Sequence, residues 1–469
     1  MTWLLEKTRA KRRDALGPAM AVSMPQLLSA LSFALDLTED AVPGHALRTS
    51  LIGMYIGAEL KLAADQQTNL YYALLLKDIG CSSNAARLCQ IIGGGDDRAV
   101  KAGIKLEDWS RPGVAALKLL WRNVAPAAGP LTRAAQIFKI SLHQQQNNAE
   151  LIALRCDRGA GIIRRIGLDL ETAEAVRSLD EHWDGSGYPC ALRGQAIPLL
   201  ARIAGVAQHL DAFATELGPE VAIRTLRDRS GRWFDPEIVR VAEALHRDGR
   251  LWTGCWSPGH HTALSIAADI VPAHAAPLSM APLHTICEAF AEVVDAKSPF
   301  TYRHSIGVTR IATAIADTMA LPYQRTQGIA RAALLHDLGK LRIPNSILDK
   351  HGKPTAEEWS IIQEHPFLTR QILNRVPAFA DLAIIAGAHH EKLDGSGYPD
   401  HLPQCEIPFD ARLLTIADVY GALTEDRPYR AALSREAALA LLAKDVPHKL
   451  DPVCYEALIA ATQSTLISS

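Results

Sequence analysis

Ala333-Leu334-Leu335-His336-Asp337-Leu338-Gly339-Lys340 ends an apolar helical run in adjacent His and Asp, with a Lys four residues after the His. Taken alone, the stretch reads as a helix C-terminus, with Gly339 as the C′ residue and charges at the exposed end. A buried-looking run carries three such groups only where something charged sits against them. The rest of the chain supplies partners for these groups, in order, together with a second, damaged copy of the pattern.

Apolar residues recur at helical spacing on both sides of this stretch, as in Ile311, Ile315 and Met319, and in Leu27, Leu28, Leu31 and Leu35. Alternating strand-like runs are scarce, so the expected fold class is all-α. Asp-Gly-Ser-Gly-Tyr-Pro stands at 184–189 and again at 394–399, an offset of 210 residues. At the same offset Ile197–Ile203 lies over Ile407–Leu413. Further upstream the offset is 259, where Leu76–Gly80 lies over Leu335–Gly339 and His45 over His304. The difference places an insertion in the first copy at about 82–150. Its Gly93-Gly94-Gly95 and Gln144-Gln145-Gln146-Asn147-Asn148 read as loops. The chain therefore divides into tandem repeats of one helical unit: a degenerate copy at 20–250, a connector at 256–277, and a second copy at 278–465. The His260-His261 pair in the connector receives no assignment.

Composition narrows the classes. A chain of 469 residues is long enough for two or three domains. A net charge of −2 provides no global attraction to nucleic acid or to an anionic membrane. Eight cysteines without a C-x-x-C pair point to reduced thiols in a cytosolic protein, not to a disulfide framework. Met1-Thr2-Trp3-Leu4-Leu5-Glu6-Lys7 lacks the layout of a signal peptide, and no apolar run is long enough to span a bilayer. The expectation is a cytoplasmic protein with neither nucleic acid nor membrane as partner.

In the second copy, polar residues interrupt the apolar runs at His304, His336, Asp337, His365, His389, His390 and Asp418. Any one of these could be a satisfied core residue; seven together point to a common ligand. Imidazoles and carboxylates without thiolate suit two borderline divalent transition metals such as iron or manganese. A structural zinc needs only four ligands, usually with Cys among them.

The motifs around these residues are His-Asp-Leu-Gly-Lys (336–340), Ile-Pro-Asn-Ser-Ile-Leu (343–348), Glu-His-Pro (364–366), His-His-Glu-Lys-Leu-Asp-Gly-Ser-Gly-Tyr-Pro (389–399), Ile-Ala-Asp-Val-Tyr (416–420) and Asp-Arg-Pro-Tyr-Arg (426–430). Over most of 290–460 the chain resembles the HD-GYP domain, a branch of the HD metal-dependent phosphohydrolases. The resemblance implies two tandem HD-type helical bundles and hydrolysis of cyclic di-GMP to pGpG or on to GMP. Alternatives are a phosphodiesterase for 3′,3′-cyclic GMP-AMP or another nucleotide, and a receptor that binds without cleaving.

Carried over residue by residue, the resemblance gives one metal to His304, His336, Asp337 and Asp418. The other goes to Asp337, as a bridging carboxylate, with His365, His389 and His390. Some relatives hold a third metal through a Glu four residues before the first His; here that position is Phe300, so two metals are expected. Such a pair supplies a nucleophile at neutral pH and clamps the reacting and leaving oxygens. Lys340 is expected on the helix face of His336, reaching a non-bridging phosphate oxygen. Arg412 and Arg427 are candidates for the other phosphate or a guanine edge. Gly397 and Tyr398 lie in a tight loop that lets backbone approach a ligand. The resemblance also suggests that this loop meets diguanylate cyclase (GGDEF) partners, and a homodimer is a further expectation.

In the first copy only His45 and Asp78 survive. Lys77 stands for His336, Arg155 for His365, Leu179 for His389, Asp180 for His390, Gln208 for Asp418 and Cys81 for Lys340. No metal and no hydrolysis are expected there, with Lys77 and Arg155 standing in as fixed cations.

Overall fold

The computed structural model describes residues 22–39, 41–107, 113–256, 278–301, 303–426 and 431–463. Arg427, the Asp-Arg-Pro-Tyr-Arg motif beyond Asp426, His260, His261 and nearly all of the connector lie outside the described residues. Among the described residues there are helices and turns and no strand beyond isolated bridge positions such as Ser230 with Phe234. No helix among them is long and apolar enough to cross a membrane.

The helices form two compact units. One comprises the described residues among 22–23, 304–337 and 363–463. At its centre the helix His304–Thr318 packs on Tyr323–Leu335, Phe409–Thr424 and Pro452–Gln463. Ile311 and Ile315 face this core, and Leu334 and Leu335 close it from the facing helix. The helix Ala380–Gly387 lies against both Tyr323–Leu335 and His365–Leu373.

The other unit comprises the described residues among 24–303 and 338–362. Its helix His45–Glu59 packs on Ala64–Leu76 and on Leu199–Leu217. Leu27, Leu28, Leu31 and Leu35 are fully buried on Met24–Asp36, as their spacing requires. These units do not follow the sequence repeats. Met280–Asp295 and residues 338–362 belong to the second copy by sequence, yet they group with the first. Specific bonds account for this. Lys297 Nζ donates to Leu341 O at 2.9 Å, and the Asn345 backbone N–H donates to the Asp97 carboxylate at 2.8 Å. We retain the repeat limits as a proposal about sequence organisation.

The insertion is more ordered than its composition suggests. It contains the helices Ala85–Ile91, Asp97–Leu106, Val114–Asn123 and Pro130–Leu142. Gln144–Asn148, read as a loop, opens the 22-residue helix Gln144–Arg165. Gln is a good helix former, and the run continues into buried Cys156, Ala160 and Ile163, which anchor the helix. Gly93 and Gly94 do form a turn, with φ of 68° and 83°.

Candidate metal centre

Six of the seven residues stand at or just past a helix terminus, and Asp418 lies in the middle of a helix. His304 is the first residue of its helix, His365 the first of His365–Leu373, and His336 directly follows Leu335. His389 and His390 come just after the helix ending at Gly387, and Asp418 sits inside Phe409–Thr424. All belong to one compact unit, and all but His390 are buried.

Their polar atoms converge on Asp337. Its Oδ2 lies 3.3 Å from His336 Nε2 and 3.9 Å from His304 Nε2. Its Oδ1 lies 3.3 Å from His365 Nε2 and 3.9 Å from His389 Nε2. The carboxylate is thus shared between two imidazole pairs, one on each oxygen. Asp418 closes the first side, with Oδ1 at 3.1 Å from His304 Nε2 and 3.8 Å from His336 Nε2. Its Oδ2 lies 3.8 Å from His390 Nδ1. Two donor groups result, His304–His336–Asp418 and His365–His389–His390, each with ligand atoms within 4.8 Å of one another.

Three further contacts, none of them expected from the sequence, orient the ligands. His336 Nδ1 lies 2.7 Å from Ala333 O, and His389 Nδ1 lies 2.6 Å from Ala386 O. Each ring donates to the carbonyl three residues back, so its Nε2 is left as the acceptor that faces Asp337. His304 Nδ1 instead donates to Glu425 Oε2 at 2.8 Å. Glu425 lies 121 residues away along the chain, one residue past the end of Phe409–Thr424. Thr369 Oγ1 adds a bond to His336 O at 2.9 Å.

The residues fit a pair of cations. His336 Nε2 is fully buried and makes no hydrogen bond, a costly arrangement unless a ligand takes its lone pair. Burial opposes charge on His336, but Asp337 and Asp418 outweigh it and carry its pKa to about 10. Burial, with His390, His336 and His365 around it, drives His389 well below its ordinary value. Burial also opposes charge on Asp418, yet His304 and His336 hold it well below the usual carboxylate range. An acid–imidazole cluster of this kind is balanced by protons or by metal ions, and the two compete.

The remaining candidates behave differently. The helix stops at Leu335 and the chain runs on as the 3₁₀ turn Leu338–Arg342. Lys340 therefore does not share an α-helical face with His336, because four residues of 3₁₀ turn do not repeat the α-helical angle. Arg412 is a structural tie. It donates to Ile407 O at 2.9 Å and pairs with Asp451 at 3.2 Å. Arg202 in the first copy does the same, with Ile197 O at 3.0 Å and Asp235 at 2.5 Å. The same device in both copies marks this tie as part of the fold, and it occupies the Arg412 guanidinium.

The same comparison reassigns Gly397. A Cβ there would collide with the Glu391 and Lys392 backbone, and one at Gly187 would collide with Asp180, Glu181 and His182. Glu391 fastens its loop through Asp400 N at 2.7 Å and Leu402 N at 3.0 Å, as Glu181 does through Cys190 N and Leu192 N. Gly397 is thus required by the loop itself. The Tyr398 ring lies 4.7 Å from that of His390 and walls that side of the cluster.

In the first copy, the surviving His45 is bound to Asp211 at 2.6 Å, and Asp211 is also held by Arg48 at 2.7 Å. Lys77 pairs with Asp78, and Arg155 with Asp180. A third cation comes from the insertion: Lys101 Nζ donates to Cys81 O at 2.6 Å and lies 3.8 Å from Glu39. Glu39, Asp78 and Cys81 cluster closely, but these fixed cations stand among them.

A family model described as HD domain matches residues 119–238 and 288–454. The chain is 40% identical over 439 residues to 3′3′-cGAMP-specific phosphodiesterase 3 of Vibrio cholerae, covering 93% of this chain and 94% of that protein. It is 40% identical over 156 residues to the cyclic di-GMP phosphodiesterase response regulator RpfG of Xanthomonas campestris, covering 32% of this chain and 41% of that one. A crystal structure of a cyclic GMP-AMP-specific phosphodiesterase from V. cholerae superposes with a TM-score of 0.65 at 36% identity, covering 95% of this chain and 98% of that one.

Proposed function

This chain belongs to the HD-domain family, in its HD-GYP branch, and we propose that it hydrolyses a 3′,3′-cyclic dinucleotide, with 3′,3′-cyclic GMP-AMP preferred over cyclic di-GMP. The preference rests on the relative that matches nearly end to end, which is named for cyclic GMP-AMP; RpfG, named for cyclic di-GMP, matches about a third of the chain. This reverses the order of substrates that the motifs alone suggest.

The observation that carries the catalytic reading is the divided Asp337 carboxylate, with one imidazole pair on each oxygen. In this reading His304, His336, Asp337 and Asp418 hold one divalent metal, and Asp337, His365, His389 and His390 hold the other. Iron and manganese suit this nitrogen–oxygen donor set. When bound, such a pair supplies Lewis-acid charge for the phosphoryl oxygens and water activation at neutral pH.

The protein's own part is positioning. Ala333 O and Ala386 O hold the rings of His336 and His389 in one tautomer, and Glu425 holds that of His304. Tyr398, against His390, shields that side of the site from water. Lys340, three residues past Asp337, is our candidate for the charge that meets a non-bridging phosphate oxygen. The first copy is proposed to be non-catalytic, because His45 is tied to Asp211 and lysine and arginine stand where ligands are needed. The test is turnover by metal-loaded protein beside Asp337→Asn. Hydrolysis that survives in Asp337→Asn would overturn the reading.

A further inference from the structure

Asp97 stands on the insertion, at the start of Asp97–Leu106, and is fully buried. Its Oδ1 accepts from the Asn345 backbone N–H at 2.8 Å, 248 residues away along the chain. Asn345 opens the short helix Asn345–Leu348, and an N–H at a helix start has no partner within the helix. A carboxylate from the first copy therefore caps a turn of the second. Burying a carboxylate is costly unless it is hydrogen-bonded and balanced by charge, and the surroundings of Asp97 supply both.

The cap is part of a buried polar cluster within one compact unit. Asn345 Nδ2 donates to Lys297 O at 2.6 Å and to Asp349 Oδ2 at 2.8 Å. Lys297 Nζ donates to Leu341 O at 2.9 Å. Burial lowers the Lys297 ammonium to about 8, and Asp97 is the foremost charge opposing that fall. At the edge of the cluster Arg98, next to Asp97, donates to Arg342 O. The carbonyls of Leu341 and Arg342 and the N–H of Asn345 are thus all held, and the insertion holds two of the three. Lys340 directly precedes them, in the same 3₁₀ turn Leu338–Arg342.

Hydrogen bonds in a low-dielectric interior are strong, so they fix the backbone that they bind. A displacement of about 1 Å in a group that must meet the reacting atoms can lower a rate roughly 100-fold. We propose that Asp97 is a positioning residue for phosphodiester hydrolysis, holding through Asn345 the turn that presents Lys340. The proposal rests on the reading of Lys340 as the charge that meets a non-bridging phosphate oxygen. It gives the insertion of the first copy a part in the chemistry of the second, with no ligand of its own.

The test is steady-state kinetics of the metal-loaded full chain on 3′,3′-cyclic GMP-AMP, comparing Asp97→Ala, Lys340→Ala and the double variant, with metal content measured in each. Lys340→Ala is expected to lower kcat roughly 100-fold. Asp97→Ala is expected to lower kcat roughly tenfold, with KM within about twofold and both metals retained. In the Lys340→Ala background the same change should cost less than about twofold, because the charge that it positions is gone. Asp97→Asn keeps an oxygen for the Asn345 N–H and should recover kcat to within about threefold of the wild type. Arg98→Ala removes the half-buried tie to Arg342 O and carries the same comparison if Asp97→Ala fails to fold. It should slow the wild type about threefold and the Lys340→Ala variant not at all. A tenfold loss from Asp97→Ala that persists in the Lys340→Ala background would overturn the role of Asp97 and leave that of Lys340 standing. Lys340→Ala as active as the wild type would overturn the Lys340 assignment, and this proposal with it. Loss of bound metal in place of the loss of kcat would mark Asp97 as a support of the fold alone, and would equally overturn it.

Discussion

Removing Glu425 should weaken one metal and leave the other alone. Its Oε2 accepts from His304 Nδ1 at 2.8 Å, fixing the ring so that Nε2 faces Asp418 and Asp337. A hydrogen bond to a charged group is worth about 1.5–3 kcal/mol. The Glu425 side chain is 29% exposed, which places it at the lower end. About 1.4 kcal/mol corresponds to one decade in affinity, at the low edge of the 10- to 100-fold range for outer-shell partners of metal-bound His. Glu425→Ala is therefore expected to weaken the metal held by His304 roughly tenfold. Glu425→Gln keeps an acceptor and loses the charge, so its effect should be about threefold. Anaerobic competition with a chelator, resolving two binding steps, reads both values. The metal held by His365, His389 and His390 should be unchanged, because none of these bonds to Glu425 in the contacts described. If both steps weaken equally, or neither moves, the assignment of Glu425 to one metal fails.

Other expectations follow from the same contacts. Asp337→Ala should abolish binding of both metals together with turnover, whereas loss of only one metal would show that the carboxylate does not bridge. Gly397→Ala forces a Cβ into the Glu391–Lys392 backbone and should lower stability by about 1–3 kcal/mol, read as a shifted urea midpoint; an unchanged midpoint would contradict the packing. Lys77→Ala leaves Asp78 buried without its cation and should cost about 3–5 kcal/mol; an unaltered melting temperature would refute the role of Lys77 as a metal substitute. Burial raises the Asp36 carboxyl from 3.8 to about 7, against the pull of Lys77. The folded state then favours the protonated acid, so its contribution is full below about pH 4 and is lost as pH rises through 7, by up to about 4 kcal/mol. Urea midpoints at pH 5 and pH 8 should differ less in Asp36→Asn than in the wild type, and equal differences would exclude Asp36 as the cause.

The candidate ligands stand out in the sequence because metal chemistry restricts residue type. His304, His336, Asp337, His365, His389, His390 and Asp418 each interrupt an apolar run with a residue type suited to a divalent metal. The all-α fold followed from a helical period sustained on both sides of Asp337. Glu425 was not legible, since a carboxylate just past a helix end is ordinary and its partner lies far along the chain. The setting of Lys340 differs from the helical spacing because the α-helix gives way to a 3₁₀ turn at the point where the motif continues. Arg412 and Gly397 looked functional in one copy. Their doubles Arg202 and Gly187 make the same contacts in the other, which marks them as scaffold. The grouping of Met280–Asp295 with the first copy depends on bonds such as Asp97 to Asn345, which no periodicity announces.

The central claim is hydrolysis of a 3′,3′-cyclic dinucleotide at the Asp337 centre. Its most direct test is a side-by-side assay of anaerobically purified protein, with metal content measured, on 3′,3′-cyclic GMP-AMP and cyclic di-GMP, the products being separated by chromatography. The account predicts turnover of both metal-loaded reactions or of cyclic GMP-AMP alone, with cyclic GMP-AMP the faster and Asp337→Asn inactive. Two metals bound with neither substrate cleaved, or cyclic di-GMP cleaved faster, would contradict it.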